Sequence, residues 1–253
     1  MNGMIDETEI SKSSAAGRLL AICMAAFSVA ATGSARAQDH AAHAPPSAPT
    51  PPPGPANSYA SMFPLDAYLE KSEAAEIALA RSAAPASISG DAEILVLDAT
   101  GHHRAVTGKN GWTCMVQRSL NDAYEKPDFW NPRIRVPICL NAAAARSVLP
   151  VYLERTKWVI AKRSLAGILD EAKAHPVPDP EPGSFAIMMS KQGYLGDGIG
   201  PAAPHVMVFL PNVPDAAWGA NLPASPVGAT PGYKPSDTVF YLAARKWSDG
   251  TSP

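Results

Sequence analysis

The chain has 253 residues, of which 46% are hydrophobic and 17% charged, and its formal net charge is −2. A chain this close to neutral lacks the basic face that nucleic acid or anionic lipid demands, so neither is expected as the main partner. The length admits one domain or two.

Residues 1–37 read as a cleaved signal peptide. Lys12 and Arg18 precede an apolar run, Leu19 to Ala31, and Ala35-Arg36-Ala37 follows as a small-residue cleavage site. The run is about 13 residues, short of the roughly 20 that cross a bilayer. Cleavage removes three acidic and three basic residues, so the net charge stays at −2. A periplasmic or secreted location follows, with no membrane span in the mature protein.

Residues 38–58 are Ala- and Pro-rich, with no aliphatic side chain larger than Ala. Such a stretch cannot bury a core and reads as a disordered tether. Cleavage after Ala37 would leave Gln38-Asp39-His40 at the terminus. An amine, two amides and the His40 imidazole suit square-planar Cu(II) or Ni(II). His40 is the weak metal candidate; the sequence names no cofactor.

Residues 59–253 read as a single α+β globular domain. Pro64 to Ala84 has helical spacing, with Ser72 as an internal cap. Glu93 to Asp98 is a short apolar strand, turned at Thr100-Gly101 into His103 to Thr107. Asn110-Gly111 signals a hairpin into Trp112 to Arg118. Ser119 to Leu140 is interrupted by Pro127, Pro132 and Pro137, with Phe129-Trp130 as a hydrophobic plug and Arg133 and Arg135 as a lesser anion candidate. The two cysteines beyond the signal, Cys114 and Cys139, read as a disulfide in an oxidising compartment.

Asn141 caps the next helix, in which Val148, Tyr152, Leu153, Val159 and Ile160 recur at helical spacing and Pro150 marks a start or kink. The Leu153/Ile160 side is expected on the sheet. Ser164 caps Leu165 to Ala174. Ser184 to Ser190, His205 to Leu210 and Thr238 to Arg245 complete the strands, with one helical turn over 215–221. The expected fold is one mostly antiparallel sheet of five to six strands with helices on one face. Its element order suggests a profilin-like or PAS-like topology, an analogy that carries no function.

Catalytic signatures such as G-x-S-x-G, H-E-x-x-H or G-x-x-x-x-G-K are absent. Between two apolar strands, the loop 191–204 combines Gly193, Gly196, Gly198 and Gly200 with Lys191, Tyr194 and Asp197, and His205 opens the next strand. Paired strands would bring Lys191 and His205 to one rim. Lys191, Tyr194, Asp197 and His205 are therefore the candidate ligand-binding set, and His205, Asp197 and Lys191 the catalytic candidates. His102-His103, in a hairpin turn, is a weaker metal candidate.

Several of these segments also resemble a group of exported bacterial proteins with no assigned activity. The resemblance rests on FWNP at Phe129 to Pro132, ARSVLP at Ala145 to Pro150, MSKQGYLGD at Met189 to Asp197, Pro204-His205 and KWSDG at Lys246 to Gly250. It covers most of residues 70–251 and implies an exported globular domain, with no substrate or catalytic residue to carry over. Where such relatives have a further His before the Pro-His pair, this chain has Ala202-Ala203, which puts a two-His metal site in doubt. Three functions compete: a small-ligand-binding or sensory-type domain using the 191–205 loop, a hydrolase-like enzyme with a His205/Asp197/Lys191 site, and a non-catalytic envelope protein.

Overall fold

The structure, a computed structural model, describes residues 59–121, 126–176, 178–214, 216–231 and 237–253. Residues 1–58, read from the sequence as a signal peptide and a tether and including His40, lie outside the described residues. The described residues fall in one compact unit.

After a short 3₁₀ turn, Leu65–Tyr68, come helices α1 (Glu73–Arg81) and α2 (Ala86–Ser89). Strands β1 (Glu93–Asp98), β2 (Gly101–Val106), β3 (Thr113–Gln117) and β4 (Val136–Leu140) follow. Helices α3 (Ala142–Ser147), α4 (Leu149–Ile160) and α5 (Leu165–Ala174) precede β5 (Phe185–Met188), β6 (His205–Pro211), β7 (Val227–Pro231) and β8 (Asp237–Ala243). Side chains cap three helices as their sequences suggest. Ser72 Oγ accepts from the Ala75 amide at 3.2 Å, Asn141 Oδ1 from Ala144 at 3.0 Å and Ser164 Oγ from Gly167 at 3.1 Å.

The strands form one mixed sheet in the order β2-β1-β3-β4-β5-β6-β8-β7. Eight strands thus replace the expected five or six, and this order replaces the profilin-like or PAS-like one. The chain is α+β. All neighbours are antiparallel except β1 and β3. Asn110-Gly111 therefore does not close a hairpin. The connection passes the start of β1, held by Glu93 N–H to Trp112 O at 2.8 Å and Asn110 Nδ2 to Ile88 O at 2.7 Å.

Two strands escape the sequence pattern because each carries proline. Pro137 sits inside β4, opposite Val116 of β3. Beside β5, only Cys139 and Leu140 of β4 are paired, so no ladder bond to β5 is lost at Pro137. Strand β7 ends at Pro231 and lies at the sheet edge, where proline is tolerated.

Helices cover both faces, not one. Alternate residues of each strand point to opposite sides. Ile94, Val96, Cys114 and Val116 pack with Ala80, Ala83 and Ala84 from α1 and the segment after it. Leu95, Met115, Ile138, Met207, Phe209 and Val239 face α3 and α4 on the other side. The buried residues of α4 include Tyr152, Arg155 and Val159, while Leu153, half-buried, packs against the same core and Ile160 is half-buried, so the buried side centres on Tyr152, Arg155 and Val159.

Cys114 and Cys139 are direct cross-strand partners and form a disulfide with Cα atoms 4.0 Å apart. Beyond the end of β3, the fully buried Arg118 donates to Glu76 Oε2 at 2.5 Å, Tyr68 O at 2.7 Å and Val116 O at 2.7 Å. Burial pushes Glu76 up and holds Arg118 down at about 10, each opposed by the attraction of its partner.

His102 is on β2, opposite Leu97 of β1, and not in the turn. Both of its ring nitrogens are buried without a hydrogen-bond partner. Burial, reinforced by the nearby Arg118, holds the imidazole down at about 3, so it is neutral at pH 7.

Two predictions follow from these buried groups. Arg118→Met strands the Glu76 carboxylate and should cost about 3–5 kcal/mol, most of it recovered by adding Glu76→Leu. Urea unfolding of both singles and the double checks this, and strictly additive losses would refute the coupling. For His102 the folded pKa lies below the unfolded value near 6.5, so its contribution to stability is complete above about pH 6.5. It declines as pH falls toward 3, where the unfolded chain binds the proton that the folded chain refuses. Up to roughly 4–5 kcal/mol of acid lability should disappear in His102→Leu, read from the pH dependence of unfolding.

Candidate functional site

The four residues singled out in the loop region separate into three places. Tyr194 and Asp197 are together: Tyr194 Oη donates to Asp197 Oδ1 at 2.5 Å. The same carboxylate accepts from Tyr59 Oη at 2.7 Å, from Asn131 Nδ2 at 3.3 Å and from Arg133. The Tyr194 and Tyr59 hydroxyls, with Arg133 and Asn131, hold Asp197 down at about 2. Arg133 and Arg135, read as a lesser anion candidate, are both committed to internal carboxylates: Arg133 to Asp197 and Arg135 to Glu70 at 2.7 Å.

The loop around this clasp is a tight turn. Tyr194 exchanges backbone bonds with Arg135 at 2.8 and 3.2 Å, and Gly200 N–H reaches Gly196 O at 2.7 Å. Gly196 has φ +135°, and a Cβ there would meet Asp128 Oδ2 at 2.3 Å, so the position demands glycine.

Lys191 points elsewhere and donates to Asp249 Oδ2 at 2.7 Å. Lys191, followed by the Thr251 hydroxyl and amide, holds Asp249 well below the usual carboxylate range. The Ser248 amide also bonds Met189 O at 2.9 Å, so the C-terminal Lys246–Gly250 segment is stitched to the end of β5.

His205 stands apart from both. Its Nδ1 lies 2.7 Å from the Ala203 carbonyl, and its ring meets that of Tyr241 edge-on with centroids 5.5 Å apart. Asp197 is therefore not its orienting group; the Ala203 carbonyl is. A carbonyl only accepts, so Nδ1 carries the proton and Nε2 keeps the lone pair. Burial lowers the His205 pKa.

What surrounds His205 is a cleft of about 1920 Å³ between the sheet and helices α4 and α5. Its floor includes Val136, Met188, Met207, Val239 and Tyr241, which alternate along β4, β5, β6 and β8. Trp158 of α4 and Leu169 of α5 stand opposite, and Leu195, Ile199 and Pro204 from the loop form part of the rim. The cleft floor adjoins the core packed under α3 and α4, which includes Met188, Met207 and Val239. Sites for small molecules usually occupy roughly 300–1,000 Å³, and this cleft exceeds that range.

Sequence reasoning found the loop and His205 but not the floor. The available signal was strand alternation: Met207 and Val239 share the face of His205 and Tyr241. His103 lies on β2 with a ring nitrogen 3.1 Å from an Asp98 oxygen and the other 3.5 Å from a Glu73 oxygen. Among the described residues, no group of three or more His, Cys, Asp or Glu side chains is placed to hold a metal ion.

No protein-family model matches the chain, and neither a curated protein nor a solved structure is significantly similar to it. The class that the structure defines is an α+β domain built on one mixed eight-stranded sheet, cross-linked by one disulfide among the described residues.

The clasp carries a prediction. Asp197→Asn removes the charge that Tyr59, Tyr194 and Arg133 converge on. Amide exchange over residues 194–200 should accelerate about tenfold or more, with global stability changed by under about 1 kcal/mol. Unchanged exchange would mean that the backbone pairing with Arg135 holds the loop alone.

Proposed function

We propose that the protein is an exported binding protein that holds one largely apolar small molecule in the cleft between the sheet and α4–α5. The second half of the 191–205 segment forms its rim. The observation that carries this reading is the cleft itself, a large cavity with an apolar floor and the His205 imidazole beside it. The disulfide suits an oxidising compartment. Among the described residues, no helix is long and apolar enough to cross a membrane.

Binding is favoured over hydrolysis by what His205 touches. Among the described residues its hydrogen-bond partner is a backbone carbonyl rather than a carboxylate, and Cys114 and Cys139 are locked together as a disulfide. A nucleophile–base–orienter chain is therefore not assembled around it.

The test uses Nile red, an apolar fluorophore, and a substitution that fills the cleft from its accessible edge. Ala243 is exposed and lines the cleft at the end of β8, so Ala243→Trp should obstruct it without disturbing the core. Wild type is expected to bind Nile red saturably at one site, and Ala243→Trp to weaken that binding about tenfold or more. Non-saturable binding, or equal affinity in the folded variant, would overturn the proposal.

A further inference from the structure

Where His205 meets the apolar floor, the cleft says more about its occupant than the floor alone does. His205 presents two nitrogens with different fates. Nδ1–H is committed to the Ala203 carbonyl at 2.7 Å, and the Tyr241 ring lies edge-on against the imidazole. These contacts fix both tautomer and ring plane. Nε2 has no hydrogen-bond partner among the described residues, and it is not among the fully buried, unpartnered atoms. It is thus an accessible acceptor on a residue that lines the cleft. Two strands away on β7, Thr230 Oγ1 lies 3.0 Å from Tyr241 Oη, and both residues also line the cleft.

Resting on the cleft being a binding site, we infer that its ligand is an apolar alcohol or phenol whose hydroxyl donates to Nε2 of His205. An ether or hydrocarbon of the same shape would cover Nε2 without satisfying it, and a covered, unpaired acceptor is costly. A carboxylate has only lone pairs to offer to a neutral Nε2. Burial lowers the pKa of His205, which favours that neutral form. Among these, the hydroxyl is the group that donates to Nε2 as it stands, and the chain beyond it lies along Met207, Val239 and Met188.

The experiment is competition against Nile red at pH 8 with three probes on one saturated chain: dodecanol, dodecyl methyl ether and dodecanoate. With the full mature protein, dodecanol should displace the dye about fivefold to tenfold more effectively than either other probe. His205→Phe should remove that preference while Nile red still binds. His205→Gln, which restores an accepting oxygen, should recover part of it. Equal displacement by dodecanol and its ether in wild type overturns the inference while leaving the cleft a binding site. Stronger displacement by dodecanoate overturns it in favour of an anionic ligand. Failure of Nile red to bind wild type removes the binding reading itself, and the inference with it.

Discussion

Arg118 is a guanidinium with no exposed surface, and the layered arrangement of the molecule depends on how it is satisfied. An unpaired charge there would be ruinous, so three acceptors must stay in place: the Glu76 carboxylate on α1, the carbonyl of Tyr68 and that of Val116. This ties the segment before the sheet to the end of β3. The Arg118 amide donates to Asn121 Oδ1 at 2.8 Å, and Asn121 Nδ2 in turn reaches Tyr152 O at 2.9 Å and Thr156 Oγ1 at 2.7 Å on α4. One run of buried hydrogen bonds thus links α1, β3 and α4. It anchors α1 on one face and α4 on the other.

The cleft follows from that anchoring. The same helix that reaches Asn121 through Tyr152 and Thr156 presents Trp158 to the cavity. Met207 and Val239 of β6 and β8 belong both to the core under α3 and α4 and to the cleft floor, where His205 and Tyr241 of the same strands join them. The loop after β5 is held at the rim by a different device. Asp197 gathers Tyr59, Asn131, Arg133 and Tyr194, so residues near the end of the tether, in the plug segment and in the loop meet at one carboxylate. The segments around Phe129–Pro132 and Met189–Asp197 meet there, and Lys246–Gly250 closes on Lys191.

Legibility in the sequence followed the range of the interaction. Helix caps at Ser72, Asn141 and Ser164 are local and were readable, as was β1, whose apolar run needs no partner to be recognised. Pairing order was not: Asn110-Gly111 has the chemistry of a hairpin turn, yet the chain uses it to pass β1 and run parallel to it. Pro137 and Pro231 hid β4 and β7, since proline is tolerated wherever the lost amide faces no neighbour. The loop chemistry was half legible. Asp197 and Tyr194 are three residues apart and do meet, but Lys191 and His205 bind partners at Asp249 and Ala203, and nothing in the spacing of Lys191 forecasts a contact 58 residues away.

The most direct measurement is a crystal structure of the protein purified from its own cells, without added ligand. The account predicts continuous density for one small molecule along Met188, Met207 and Val239, with an oxygen within hydrogen-bond distance of His205 Nε2. A cleft filled only by ordered water, or closed by α4 and α5 resting on the sheet, would contradict it.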